Sequence, residues 1–167
     1  MAKKDAKAAK AKIDADAVLV VARNRKARFE YDLIEKVEAG IVLTGTEVKS
    51  LRTGKANIED AYADIAGREV WLNAADIPEY LQANRMNHKP KRPRKLLLHQ
   101  REILKIVARL KEKGLTLIPL QIHFKRGIAK VEIAIAKGRK SYDKRQAIKS
   151  QEAKRDIARF QRRGDRY

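Results

Sequence analysis

The stretch IPLQIHFKRGIAKVEIAI, residues 118–135, decides the fold. Ile118, Leu120, Ile122 and Phe124 alternate with Pro119, Gln121 and His123. Beyond Lys125-Arg126-Gly127, Val131, Ile133 and Ile135 alternate again. A period of two belongs to a strand with one face on a core, and a short glycine-containing break between two such runs is a hairpin turn. The spacing therefore predicts a hairpin with one apolar face. Pro119 cannot donate to a strand ladder, which predicts an edge position or a bulge there.

The segments around this hairpin extend the same architecture. Just before it, Ile103, Leu104, Val107 and Leu110 form one stripe of a helix predicted over Leu98–Lys113, with Gly114 placed as its cap. Ala61–Ile65 and Glu69–Leu72 flank Gly67 and predict another hairpin. Val37–Leu43 is an apolar strand bent at Gly40, and Asn24–Ile34 leads into it. In TGTEVKSLR, Thr46 is placed as the N-cap of a short helix that stops near Gly54. Pro78, Pro90 and Pro93 mark a loop over residues 77–94. The fold class is mainly β: an antiparallel β-barrel of the oligonucleotide-binding type, with flanking α-helices and a basic C-terminal tail. No closely paired second helix is present to build a helix-turn-helix.

Charge divides the chain into parts. Its 167 residues hold 40 Lys and Arg against 21 Asp and Glu, a net charge of +19. The excess lies in two blocks, about +9 over residues 85–113 and about +8 over 137–167. Two such blocks point to two contacts with a polyanion. Residues 1–22 are rich in Lys and Ala with no sustained apolar face, and are expected to be a flexible basic arm. Residues 23–136 form the RNA-binding barrel domain. Residues 137–167 form a basic tail, disordered when free and helical when bound. In that tail Ile148, Ile157 and Phe160 stand among cations.

Chemistry is sparse. With Cys 0, disulfides, thiol nucleophiles and Cys-based zinc sites are excluded. His88, His99 and His123 lack metal-ligand spacing and are expected to be surface or RNA-facing. Glu59, Asp60 and Asp64 are expected to be solvent-facing acids rather than a Mg²⁺ site. No phosphate-cradling glycine loop occurs. Neither an enzyme, a cofactor nor a metal is expected. No apolar run nears the roughly 20 residues of a membrane span, so a cytoplasmic protein without membrane contact is expected. KPKRPRK, residues 89–95, is a phosphate-binding block, with Lys91, Arg92, Arg94 and Lys95 as its candidate contacts. At 5% aromatic residues, stacking on single strands is disfavoured, and structured RNA held by shape and phosphate fits better.

Four segments together resemble one family: NRKARFEY (24–31), EAGIVLTGTEVKSLRTGKANIEDAY (38–62), HKPKRPRKLLLHQREI (88–103) and KVEIAIAKGRKSYDKRQAIK (130–149). They are similar to small protein B, the SsrA-binding proteins of bacterial trans-translation, from about Asn24 to Arg163. The resemblance implies an oligonucleotide-binding-type barrel that binds the tRNA-like domain of transfer-messenger RNA. That complex, charged with alanine and carried by elongation factor Tu, enters stalled ribosomes. The tail then occupies the small-subunit decoding centre and empty message channel, and the nascent chain is tagged for degradation. A monomer is expected.

Carried over by position, the RNA-binding residues are Glu38, Leu97 and Lys130, with Asn24, Arg25, Lys26 and Tyr31 matching the family's N-terminal motif. The tail residues are Asp143, Lys144, Arg145, Ile157 and Phe160; the last stands where the family often has an aliphatic residue. From the residues alone, Leu97 fits core packing better, and Glu38 needs a reason to sit near phosphate, either accepting from a base or 2′-OH or orienting a basic neighbour. Two other classes compete: a structural ribosomal protein and an RNA-processing enzyme.

Overall fold

The structure is a computed structural model that describes residues 18–83 and 87–139. In chain order its elements are β1 (Leu19–Arg23), α1 (Ala27–Glu30), β2 (Tyr31–Ile41), α2 (Gly45–Arg52), β3 (Tyr62–Ala66), β4 (Glu69–Asn73), β5 (Arg94–Leu97), α3 (Gln100–Leu110), β6 (Leu115–Lys125) and β7 (Ile128–Gly138). Strands pair in the order β6-β3-β4-β5-β2-β7, and β7 returns to β6, so six strands close a ring. β1 is an addition outside the ring, paired only with β6. All pairings are antiparallel. This is the barrel of the oligonucleotide-binding type that the sequence predicts, and closure removes the sheet edges that an open sheet would leave.

The β6–β7 hairpin is where expected, turning through Arg126 and Gly127 with φ of 52° and 77°. Two successive positive φ values define the tight turn whose twist matches the strands, and Gly127 takes the second at no steric cost. The hairpin does not have one apolar face, however. Pairing slips between Pro119 and Gln121, leaving Leu120 as an extra residue. That bulge reverses which face the alternation serves. Ile122 and Phe124 point into the main core with Val131, Ile133 and Ile135, whereas Ile118 and Leu120 join a second apolar cluster with Ala27, Ala134 and Ala136. Pro119 thus sits beside a bulge in a central strand. The bulge also lets β6 change partners, from β3 at Leu117 to β1 at Gln121–Phe124.

Four further expectations are corrected. The end of the expected arm, residues 19–22, is strand, because Leu19–Arg23 pairs with β6 and buries Ala22, and residues 1–17 lie outside the described residues. The barrel extends past residue 136, since β7 runs to Gly138. The helix before β6 buries Ile106 and packs Ile103 and Leu110 on the core, while Leu104 faces solvent. The stripe therefore keeps Ile103 and Leu110 and takes Ile106 in place of Leu104. The short helix α2 is capped at Thr44, whose backbone N–H donates to the Glu47 carboxylate at 2.7 Å. Asn24–Ile34 leads into β2 as expected, and within it residues 27–30 make the one-turn helix α1.

Candidate nucleic-acid interface

Inward residues of β2, β6 and β7 alternate with outward ones, and the register aligns the outward ones in rows. His123 of β6 pairs with Lys130 of β7, Lys130 with Gly40 of β2, and Gly40 with Leu97 of β5. In the next row Gln121 pairs with Glu132, and Glu132 with Glu38. Glu38, Leu97 and Lys130, named from distant parts of the chain, thus share one outer face. Leu97 is not core: its neighbour Leu96 faces inward at 2% exposure and Leu97 outward at 53%. Gly40 makes room for it, since a Cβ there would lie 3.2 Å from the Leu97 Cβ.

The presence of an acid on this face is explained by its partners. The Lys130 ammonium donates to the Glu38 Oε1. Lys125 Nζ lies 3.7 Å and His123 Nε2 3.6 Å from the Glu38 Oε2. The Lys130 hydrogen bond holds the Glu38 carboxyl below its ordinary range, against a smaller opposing effect of burial. The carboxylate gathers two lysines and a histidine beside an exposed apolar side chain. Lysines present point charges to phosphate, and Leu97 offers an apolar surface to a sugar or base. His123 is 3% exposed, with Nδ1 buried and unpartnered. His123, expected to be surface or RNA-facing, stands on this face but is buried among its neighbours; Lys125 and Gly40 were missed in the sequence, and the outward positions of the hairpin are the signal that would have found Lys125.

The KPKRPRK block does not act as one surface. Arg94 is fully buried, which removes it from the phosphate contacts. Its Nε donates to Glu47 Oε1 at 2.9 Å, its Nη1 to the carbonyls of Ala75 at 2.5 Å and Arg92 at 3.1 Å, and its Nη2 to the carbonyl of Pro90 at 2.7 Å. Arg92 donates to both oxygens of Glu47, at 2.8 and 2.6 Å. Burial alone would raise the Glu47 carboxyl, but Arg92, the Thr44 N–H and Arg94 outweigh it and hold the group at about 2. These two arginines therefore fasten the loop to α2. Lys95 pairs with Glu69. Lys91 is exposed, with no acidic partner among the described residues.

The N-terminal motif divides in the same way. Asn24 is buried, accepting from the Ala27 N–H at 2.9 Å and donating to the Ile58 carbonyl at 3.2 Å. It fastens α1 to the barrel and is not free to meet RNA. Tyr31 packs on the second apolar cluster. Lys26 Nζ lies 2.7 Å from Glu59, whose hydrogen bond raises the lysine's pKa. Arg25 is exposed. His88 is buried too, bonded to Thr46 Oγ1 at 2.9 Å and the Ile77 carbonyl at 3.0 Å, which corrects its placement at the surface. Asp143, Lys144, Arg145, Ile157 and Phe160 lie outside the described residues. Among the described residues no group of three or more His, Cys, Asp or Glu side chains could hold a metal ion, and no helix is long and apolar enough to cross a membrane.

The family profile described as SmpB protein matches residues 21–163. This chain belongs to the SmpB family. An SsrA-binding protein of Desulforudis audaxviator is 57% identical over 142 residues, covering 85% of this chain and 93% of its own. That of Azorhizobium caulinodans is 56% identical over 144 residues, covering 86% and 90%. Among solved structures, a chain from "tmRNA-SmpB: a journey to the center of the bacterial ribosome" is similar with a TM-score of 0.61 and 44% identity, covering 71% of this chain and 84% of its own.

Proposed function

We propose that this SmpB-family chain is an RNA adaptor that binds the tRNA-like domain of transfer-messenger RNA through the Glu38–Leu97–Lys130 face. It carries that RNA to stalled ribosomes for trans-translation, meeting elongation factor Tu only through the charged RNA. The observation that supports this best is convergence. Lys130 and Glu38 are 92 positions apart, yet they pair on the outer face beside exposed Leu97. The face binds and does no chemistry, so the chain works as a monomeric cytoplasmic adaptor rather than an enzyme.

The basic tail has the second role. Its charge of about +8 over residues 137–167 suits the phosphate-lined decoding centre and message channel. Asp143, Lys144, Arg145, Ile157 and Phe160 act there. The experiment that tests the division of labour is deletion from Asp143 onward, read by two assays. Affinity for an isolated tRNA-like transcript is expected to survive, and tagging on ribosomes stalled on truncated messages is expected to fail. Normal tagging by the shortened chain would reject the tail's role. Transcript binding unaffected by Lys130→Ala would reject the face.

A further inference from the structure

From the Glu38 row the outer face opens into a cleft of about 190 Å³ lined by Arg23, Arg25, Arg28, Lys36 and Glu132. Register places it. Arg23 of β1 pairs with Gln121 of β6, one row along from His123 and Lys130. Lys36 lies two residues before Glu38, hence one row further. At roughly 3.4 Å per residue, the cleft begins about 7 Å from the Lys130 row and ends about 14 Å from it. The one-turn helix α1 contributes Arg28 to its lining.

The charges of this cleft are poorly balanced from within. Lys36 pairs with Glu132 at 3.1 Å. Arg23, Arg25 and Arg28 are exposed and have no acidic partner among the described residues. Three guanidinium groups around one concavity repel each other unless an anion enters. Glu38 and Glu132, directly opposed across β2 and β7, stand in the same row as Arg23, between Lys130 and Lys36 along these strands. Like charges in that position disfavour the sheet, and each is held by its own lysine. A phosphate cannot sit over the opposed carboxylates. A backbone laid along this face must place its phosphates on either side of them.

We propose that the Arg23–Arg25–Arg28–Lys36 cleft is a second phosphodiester-binding station, holding the same RNA strand that crosses Lys130. Glu38 lies between Lys130 and Lys36, where a ribose hydroxyl can donate to it. This rests on the RNA-binding face proposed above and extends it by a second, separately testable contact. Arginine suits the task because its planar fork holds phosphate oxygens in pairs.

The test uses the full chain with Arg23→Ala and Arg28→Ala combined, against a transcript of a tRNA-like domain and, separately, against small ribosomal subunits. These exposed side chains hold up nothing, so the melting temperature is expected to stay at the wild-type value. Transcript affinity is expected to fall about tenfold or more at low salt, and the salt slope to shrink by about one to two units. Arg23→Lys with Arg28→Lys is expected to keep most of the slope. Lys130→Ala in the same assay separates the two ideas. If Lys130→Ala weakens binding and the arginine pair does not, the second station is wrong and the face stands. If neither does, the face itself is wrong. A loss confined to ribosomal subunits would also overturn the proposal, because the cleft would then hold a different RNA.

Discussion

Glu47 and Glu38 each gather basic side chains, one sealed beneath the barrel wall and the other on its outer surface. Glu47 is fully buried and meets the guanidinium groups of Arg92 and Arg94 in a fixed fork. Glu38 is exposed and meets the flexible ammonium groups of Lys125 and Lys130. The same pairing of charges has different consequences because water is absent from one and present at the other. In the interior, each arginine donor must find an acceptor, and Arg94 uses three backbone carbonyls besides the carboxylate. Those bonds tie the loop before β5 to α2 and to Ala75. On the surface the pairing is weak and exchangeable, so a phosphate can take the lysines over. Burial makes the first cluster structural and exposure makes the second available for binding.

The largest test of this contrast is Glu47→Gln. It leaves Arg94 buried without its counter-charge and is expected to cost about 3–5 kcal/mol in urea denaturation. Folded Glu47→Gln protein is expected to bind the RNA transcript as the wild type does. A variant of unchanged stability would break the comparison.

Acid sharpens it. The Glu47 carboxyl ionises at about 2 in the folded protein against 4.5 as its ordinary value. A carboxyl whose folded pKa is depressed contributes stability that is complete above pH 4.5 and lost as pH falls toward 2. The shift corresponds to roughly 3 kcal/mol. Urea midpoints followed down through this window should decline in the wild type, and the part due to Glu47 should be missing in Glu47→Gln.

On the surface side, Lys130→Ala is expected to change stability by less than about 1 kcal/mol. It should weaken transcript binding and reduce the salt slope by about one unit. A large drop in melting temperature would mean that the outer cluster is structural as well. Leu97→Ala is expected to have the smallest effect on folding, within about 0.5 kcal/mol, because the side chain stands 53% exposed. It should still cost affinity. A loss of about 2–5 kcal/mol in stability would return Leu97 to the core.

Strand and helix positions were largely legible, because each depends on periodicity within a dozen residues. The hairpins around Gly67 and Gly127 and the helix before Gly114 fall where the pattern places them. What failed depended on distant partners. Arg92 and Arg94 look like surface cations in KPKRPRK, since nothing local reveals that Glu47 is folded against them from 45 and 47 positions away. Asn24, carried over as a contact residue by the resemblance, holds the carbonyl of Ile58, 34 positions away, which nothing local reveals. Pro119 announced an irregularity but not its result, because only the register with β7 shows the two faces of β6 exchanging roles. Leu97 is apolar among apolar neighbours, and its outward direction is set by pairing with Gly40.

Ring closure also bears on synthesis. Among the described residues β7 is the last strand in chain order, and it completes the barrel by joining β2 on one side and β6 on the other. Glu38 leaves the ribosome 92 residues before Lys130. At about 5–20 residues per second, β2 waits on the order of 5–20 s for its neighbour. A product that ends before residue 128 has six strands and an open wall, with β2 and β6 each presenting an unpaired edge. Such edges invite aggregation and proteolysis. Closing the ring is therefore a built-in check that translation has run through β7.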